Sequence, residues 1–476
     1  MSQFFFDLDR TSPVPLPEQI YRAGRDAIRA GALRGGARLP SVRALAGVLG
    51  IARGTASEGY ALLAAEGLIA LRPGAAPRVS EAEAPLASAA PSPAPALTQA
   101  GERVAADPRA RQQVGRGTFA PGQPDPALFP RDVWARALRR AVRTLPPNVL
   151  AYEDTQGLPA LRDALARLVG ETRGLRAAPG DVLVLPTVQS AMTLIAACLT
   201  TPGDLVAVED PGYAGARAAF GASRLAPLPV GGDGADPGAL PGDARLACLT
   251  PSHHYPTGAR LSADRRAAFL AHARTHGTLI VEDDYDSEFL WRGRAVPALA
   301  ASDPSRVLFL GTVAKSLLPG LRLAYVVLPP GLAPAFVRAQ RNLGLLTNVH
   351  AQAALAEMIE GGQYRAHLRR ISNAYEARAT MMASALEAAL GNRASVAEPT
   401  GGLQLLCEFS KGTDDRAVAE RLAAEGYAPS VLSGMALRSG RCGLVVGFGT
   451  ADEAGAGRFA ISVARALASS SSRRTA

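Results

Sequence analysis

Gly311-Thr312-Val313-Ala314-Lys315-Ser316-Leu317-Leu318-Pro319-Gly320-Leu321-Arg322 is the stretch on which the reading of this 476-residue chain turns. Lys315 and Lys411 are the only lysines in a sequence otherwise rich in arginine. A lone lysine is ordinarily a surface charge, a task arginine performs equally well. Arginine cannot serve where the amine must lose its proton and attack a carbonyl, because guanidinium stays charged. A Schiff base to pyridoxal phosphate needs such an amine. The neighbours favour that chemistry. Arg306-Val307-Leu308-Phe309-Leu310-Gly311 reads as a buried strand that reaches Lys315 at the following turn, and Arg322 opens the next apolar run, 321–328. Upstream, Thr278-Leu279-Ile280-Val281-Glu282 reads as a similar strand that delivers Asp283 and Tyr285 to its end. An amine, a carboxylate, a phenol and a guanidinium leaving consecutive strands are the complement a phosphorylated pyridine aldehyde requires.

Around this centre, short apolar runs alternate with long connections at 182–185, 205–208, 246–249, 279–281, 307–310 and 324–328. That pattern predicts parallel strands of an α/β body. A long helical region is expected over 349–390. A smaller mixed unit with strands at 403–409 and 444–448 follows, and then a disordered Ser/Arg-rich tail at 469–476. At 48% hydrophobic and 20% charged, the chain can bury sizeable cores, and its length suggests about three domain-sized units. No apolar run reaches the ~18 residues needed to span a bilayer, and the first residues lack a basic-then-apolar order. A cytoplasmic protein without a membrane contact is expected. Cys198, Cys248, Cys407 and Cys442 lie too far apart for a metal or disulfide framework and read as reduced thiols; no metal site is expected.

The first 80 residues have a different character. They hold ten arginines and six acids, so +4 of the net +9 falls on a small part of the chain. A helical stripe runs from Leu16 to Ala32 through Ile20, Ala23, Ala27 and Ile28. Ser41 caps a short helix that ends at Gly50, and a second helix from Arg53 to Glu66 turns Tyr60, Leu62 and Leu63 inward. Leu68–Leu71 and Arg78–Ser80 pair around Pro73-Gly74. Helix, turn, helix and hairpin make a winged helix-turn-helix. Residues 81–117, rich in Ala and Pro at first, read as a flexible linker.

Leu39-Pro40-Ser41-Val42-Arg43 and Ile51-Ala52-Arg53-Gly54-Thr55 resemble the signature of the GntR family of bacterial regulators. The resemblance implies double-stranded DNA as a partner, with Arg38, Ser41, Arg43, Arg53, Thr55 and the wing residue Gly74 at the contact. Helix amides, hydroxyls and guanidinium groups suit phosphates, and Arg53 suits guanine in the major groove. Gly54 and Gly59 are expected to loosen the recognition helix.

The stretches at 119–134, 152–162, 209–213, 250–258, 282–289 and 311–325, in that order and spacing, resemble fold-type I aminotransferases. With the head included, the chain resembles the MocR-like branch of the GntR regulators nearly end to end. The fold implied is multidomain: a small α+β winged helix-turn-helix head (1–80), a flexible linker (81–117) and an α/β aminotransferase-like body (118–468). The body divides into a large part near 140–345 and a small part near 346–468. The resemblance assigns Lys315 to the covalent attachment of pyridoxal 5'-phosphate, Asp283 to the pyridine nitrogen, Tyr285 to the 3-oxygen and Tyr213 to the ring face. Val188, Gln189, Ser190, Thr312 and Arg322 are implied at the phosphate, with Tyr152 reaching it from the neighbouring subunit of a homodimer on which the heads can dock. Transaminases anchor the substrate carboxylate through an arginine on a late strand, and 444–448 holds none. Arg438, Arg441 or the more distant Arg217 are the substitutes expected. The balance favours a regulator that senses an amine, an amino acid or the cofactor itself, with turnover absent or weak. The alternatives are a working aminotransferase with a vestigial head and a DNA-binding scaffold without cofactor.

Overall fold

The structure, a computed structural model, describes residue 6 and residues 8–471 apart from 73, 82–95, 108, 112, 115, 152–154 and 292–295. It divides into two compact units, 1–98 and 99–476.

In the first unit, α1 (Leu16–Arg29), α2 (Val42–Leu49) and α3 (Arg53–Ala65) precede a minimal hairpin of β1 (Ile69–Ala70) and β2 (Arg78–Val79). The Ser41 hydroxyl caps α2 by accepting from the Ala44 amide at 3.2 Å, and Gly50 closes the helix in the left-handed region. Ile20, Leu45, Tyr60, Leu63 and Val79 form the core. Leu62, expected inward, is instead exposed, because it follows Tyr60 by two positions and so turns away from the buried stripe. The expectation that Gly59 merely loosens α3 is corrected by packing. A Cβ there would lie 2.7 Å from Ile20 of α1, and one at Gly24 would lie 2.7 Å from Leu63 of α3. The two glycines let α1 and α3 cross closely, whereas Gly54 faces open space.

The second unit opens with α4 (Gln99–Ala105). Two helices follow, α5 (Arg131–Thr144) and α6 (Pro159–Arg173), before the first strand of the large sheet. Its strands are β3 (Val182–Leu185), β4 (Leu205–Asp210), β5 (Arg224–Gly231), β6 (Gly234–Ala235), β7 (Leu246–Leu249), β8 (Leu279–Asp284), β9 (Val307–Thr312) and β10 (Ala324–Val327), and α7 (Val188–Leu199) follows β3. The spatial order is β3-β10-β9-β8-β7-β4-β5-β6. The central strands run parallel, but β10 is antiparallel to both β9 and β3, which corrects the all-parallel reading. Residues 313–323 between β9 and β10 are too few for the helical crossover a parallel return needs. The strand β5 escaped the sequence because Pro227 and Pro229 argue against a central strand. It lies near the sheet edge, covered only by the two-residue β6.

A second, antiparallel sheet, in the order β11 (Ala394–Val396), β12 (Gln404–Phe409), β14 (Gly443–Gly447), β13 (Ser430–Val431), packs its core with Phe448, Phe459, Tyr375 and Leu386. The long helical region is two helices, Val349–Glu360 and Gln363–Leu390, separated at Gly361-Gly362, and the last helix extends to Ser471, into the expected tail. The stretch expected as linker is divided. Residues 82–95 lie outside the described residues, and the stretch from 99 onward belongs to the second unit. Gln113 forms a bridge to Ser430, and Thr118 exchanges backbone hydrogen bonds with Gly426 (3.0 Å) and Ala428 (2.8 Å). No helix among the described residues is long and apolar enough to cross a membrane.

Candidate functional site

The parallel strands β8 and β9 end on one side of the sheet, where α/β folds gather ligands. A cavity of about 450 Å³ opens there, lined by Asp283, Tyr285, Thr312, Lys315, Arg322, Val188, Gln189 and Tyr213 among others. Eight of the ten residues expected at the cofactor thus share one cavity.

Four acids cluster at the end of β8, and their partners distinguish them. Glu282 accepts from the Leu299 and Ala300 amides at 3.0 Å each. Asp284 pairs with Arg173 at 2.9 Å, both side chains buried. Asp286 meets His253 Nδ1 at 2.9 Å. Asp283 lines the cavity, and its Oδ1 is buried without a hydrogen-bond partner. Burial first, then Asp284 and Asp286, push its carboxyl up to about 7, with Lys315 acting in the opposite sense. A buried acceptor of this kind calls for a charged N–H.

The Lys315 amine donates to the Gly122 carbonyl at 2.8 Å. Burial, reinforced by the Arg109 guanidinium, lowers it from its ordinary value to about 8 against the pull of Asp286 and Asp283. Gly122 lies at φ 69°, and a Cβ there would stand 2.8 Å from Nζ. The Tyr285 hydroxyl accepts from Gln404 Nε2 at 3.0 Å and lies 3.3 Å from His253 Nδ1, the atom that also meets Asp286. The rings of Tyr213 and Tyr255 stand perpendicular with centroids 6.1 Å apart.

At the other end, Arg322 adopts the left-handed region at φ 53°, which only Phe119 shares among the described non-glycine residues. Such a backbone is held at a cost when it aims a functional side chain. Thr312, Val188 and Gln189 stand beside it along the cavity. Ser190, expected at the phosphate, is committed elsewhere. Its hydroxyl accepts from the Thr187 amide at 3.0 Å and closes a capping box at the start of α7. Tyr152 lies outside the described residues.

The arginines expected at an effector carboxylate do not reach the cavity. Arg441 is held by Glu408 through two bonds of 2.7 and 2.8 Å. Arg438 lines a separate groove, its amide fixed with those of Leu437 and Ser439 on the Asp210 carboxylate. Arg217 donates to the Met435 and Gly434 carbonyls. Two residues that sequence reading assigned to the linker, Arg109 and Gln113, line the cavity instead. Among the described residues no group of three His, Cys, Asp or Glu stands where it could hold a metal.

The donor set fits pyridoxal 5'-phosphate. The unpartnered Asp283 oxygen suits the pyridinium N–H, Tyr285 the 3-oxygen, Lys315 the aldehyde, and Arg322 with the first turn of α7 the phosphate.

On the head, Arg38, Ser41, Arg43, Arg53 and Gly74 are exposed and Thr55 is half-buried. The N-cap of α3 is Ala52, which offers no side-chain acceptor, so the first-turn amides of α3 carry no cap. Gly74 turns the wing at φ 76°.

Two family models match the chain: bacterial regulatory proteins of the gntR family over residues 16–79, and aminotransferase class I and II over residues 120–443. The probable rhizopine catabolism regulatory protein MocR of Rhizobium meliloti is 36% identical, covering 90% of this chain and 88% of its own. The transcriptional regulator TauR of Rhodobacter capsulatus is 35% identical over 86% of this chain and 87% of its own. The crystal structure of the α-aminoadipate aminotransferase LysN from Thermus thermophilus, complexed with N-(5'-phosphopyridoxyl)-L-leucine, superposes with a TM-score of 0.72 at 27% identity, over 79% of this chain and 98% of that one. A DNA-reading head of GntR type joined to a fold-type I aminotransferase body, matched nearly end to end by such regulators, makes this chain a member of the MocR-like GntR transcriptional regulators.

Proposed function

We propose that the protein regulates transcription by binding an operator through its head and pyridoxal phosphate through its body, and that an amine or amino acid entering the same cavity is its signal. The observation that carries this reading is the buried, unpartnered Asp283 Oδ1 in one cavity with Lys315. When bound, pyridoxal phosphate supplies an aldehyde that reacts reversibly with amines. The chain's own residues do the rest. Lys315, lowered to about 8, presents a partly deprotonated amine near neutral pH. Asp283 holds a proton at the pyridine nitrogen, Tyr285 with Gln404 fixes the ring oxygen, and Arg322 balances phosphate charge.

Sensing is favoured over turnover because β14 carries no arginine and Arg441 is committed to Glu408. Without an anchor fixed on that strand, orientation for proton transfer at the α-carbon is weakened, while binding is still read out. The reading includes a homodimer, with Tyr152 serving the neighbouring site, and Arg38, Arg43 and Arg53 facing the operator.

The test combines spectroscopy and labelling. Protein reconstituted with pyridoxal phosphate is expected to show the visible absorbance of a lysine-bound cofactor, and borohydride is expected to fix the label on the peptide containing Lys315. Lys315→Ala should remain folded and colourless. Protein that stays colourless with added pyridoxal phosphate overturns the cofactor reading, and steady formation of keto acid from amino acids replaces the sensor with an enzyme.

A further inference from the structure

We infer that Arg109, near the start of the second unit, is the carboxylate anchor for an amino-acid effector in the cofactor cavity, so that occupancy acts on the segment from which the connecting chain departs. This deepens the reading of the cavity as a pyridoxal-phosphate site and rests on it.

Three cationic side chains line the cavity: Lys315, Arg322 and Arg109. Lys315 is committed to the aldehyde and Arg322 to the phosphate, which leaves Arg109 for a further anion. Its guanidinium forms no salt bridge among the described residues; it hydrogen-bonds the Tyr213 hydroxyl and acts electrostatically on Tyr255 and Lys315. It therefore stands beside the tyrosine pair and the amine, where a cofactor-bound effector must lie. Of the arginines just before the late strand, Arg441 is paired with Glu408, and Arg438 lines a separate groove.

The backbone around Arg109 is fixed to the body. The Gln113 amide donates to the Arg109 carbonyl at 2.9 Å, and Gln113 bridges to Ser430. Arg416 donates to the Arg111 carbonyl. Gly117 passes so close to the Gly426 carbonyl that a Cβ would lie 2.0 Å from it. A guanidinium on such a segment offers two parallel N–H donors to a carboxylate. The ligand class that follows is an amine bearing a carboxylate, rather than a bare amine. The sequence is silent on this because 99–117 carries none of the motifs of either family.

The experiment uses the full-length protein loaded with pyridoxal phosphate. Glycine, β-alanine and γ-aminobutyrate are titrated alongside methylamine, ethylamine and propylamine, and the visible band is followed. At least one amino acid is expected to perturb the band at lower concentration than its amine counterpart. Arg109→Ala should erase that preference, weakening the amino acid by about tenfold or more, the scale of a lost charge-assisted pair, while sparing the amines. Arg109→Lys should restore it in part. In the wild type, hydrogen exchange over residues 99–117 should slow when the amino acid binds and not when the amine does. An unchanged preference in Arg109→Ala overturns the assignment, as does a wild-type band that no amino acid perturbs more readily than an amine. Weakened pyridoxal phosphate binding in Arg109→Ala at a pH where the Lys315 amine is deprotonated in both proteins would overturn it too, reassigning the side chain to the phosphate. Failure of the band to form in the wild type is a separate result, which removes the cofactor reading itself.

Discussion

Lys315 and Asp283 lie in one buried cavity with their ionisation pulled toward neutrality from opposite directions. Lys315 is lowered to about 8, chiefly by burial, and Asp283 is raised to about 7 for the same reason. The deprotonated amine that captures pyridoxal phosphate therefore becomes abundant as pH rises through about 8. The rate of cofactor capture, followed by stopped-flow absorbance, is expected to climb across that range and level off above it. Arg109 contributes to lowering Lys315, so Arg109→Ala should move the midpoint to higher pH. Asp283, Tyr285, Lys315 and Arg322 could be singled out in the sequence because each lies at or beside one end of an apolar strand. Arg109 was not, since only tertiary contacts carry it to the cavity. Ser190 has a local commitment that the sequence did not reveal: its hydroxyl serves its own helix start.

Individual elements tell a similar story of local signals overridden by packing. In α3, a glycine ordinarily costs about 1 kcal/mol of helix stability relative to alanine. Gly59 faces Ile20 across the crossing with α1, so Gly59→Ala is expected to destabilise the head by about 1–3 kcal/mol. Gly54→Ala, which meets nothing within 4 Å, should stabilise it by about 0.5–1 kcal/mol. Both tryptophans, Trp134 and Trp291, belong to the second unit. Denaturation of the full chain can thus separate the two: circular dichroism should register the shifted transition of the head while tryptophan fluorescence stays in place. Equal behaviour of the two variants would remove the packing account. The strands that the sequence revealed are those buried as continuous apolar runs. The direction of β10 was not legible, because apolar content fixes burial and only the short connection after β9 fixes direction. Pro227 and Pro229 concealed β5.

For the whole molecule, the uneven distribution of charge matters most. With +4 of the net +9 in the first 80 residues and Arg38, Arg43 and Arg53 exposed, operator affinity should fall steeply with salt as counterions are released. Binding isotherms over a salt series should show Arg53→Ala either reducing the slope by about one ion, if it contacts phosphate, or costing about 1–3 kcal/mol at one operator position, if it reads a base. No change in either quantity would remove Arg53 from the interface.

The early packing of the chain onto the body has a geometric corollary. Since the second unit begins at residue 99, the stretch between the head and that unit runs only over 81–98, and eighteen residues cannot exceed about 65 Å even when fully drawn out. That contour fixes the farthest half-site a head can search while its body stays put. In the homodimer proposed above, it would also set the local concentration at which the second head meets its own half-site. Residues inserted within 81–98 would relax the permitted spacing of half-sites gradually, because local concentration declines only as about the −3/2 power of leash length. Residues inserted after 118, past the attachments of Arg111, Gln113 and Thr118 to the body, would not pay out more leash.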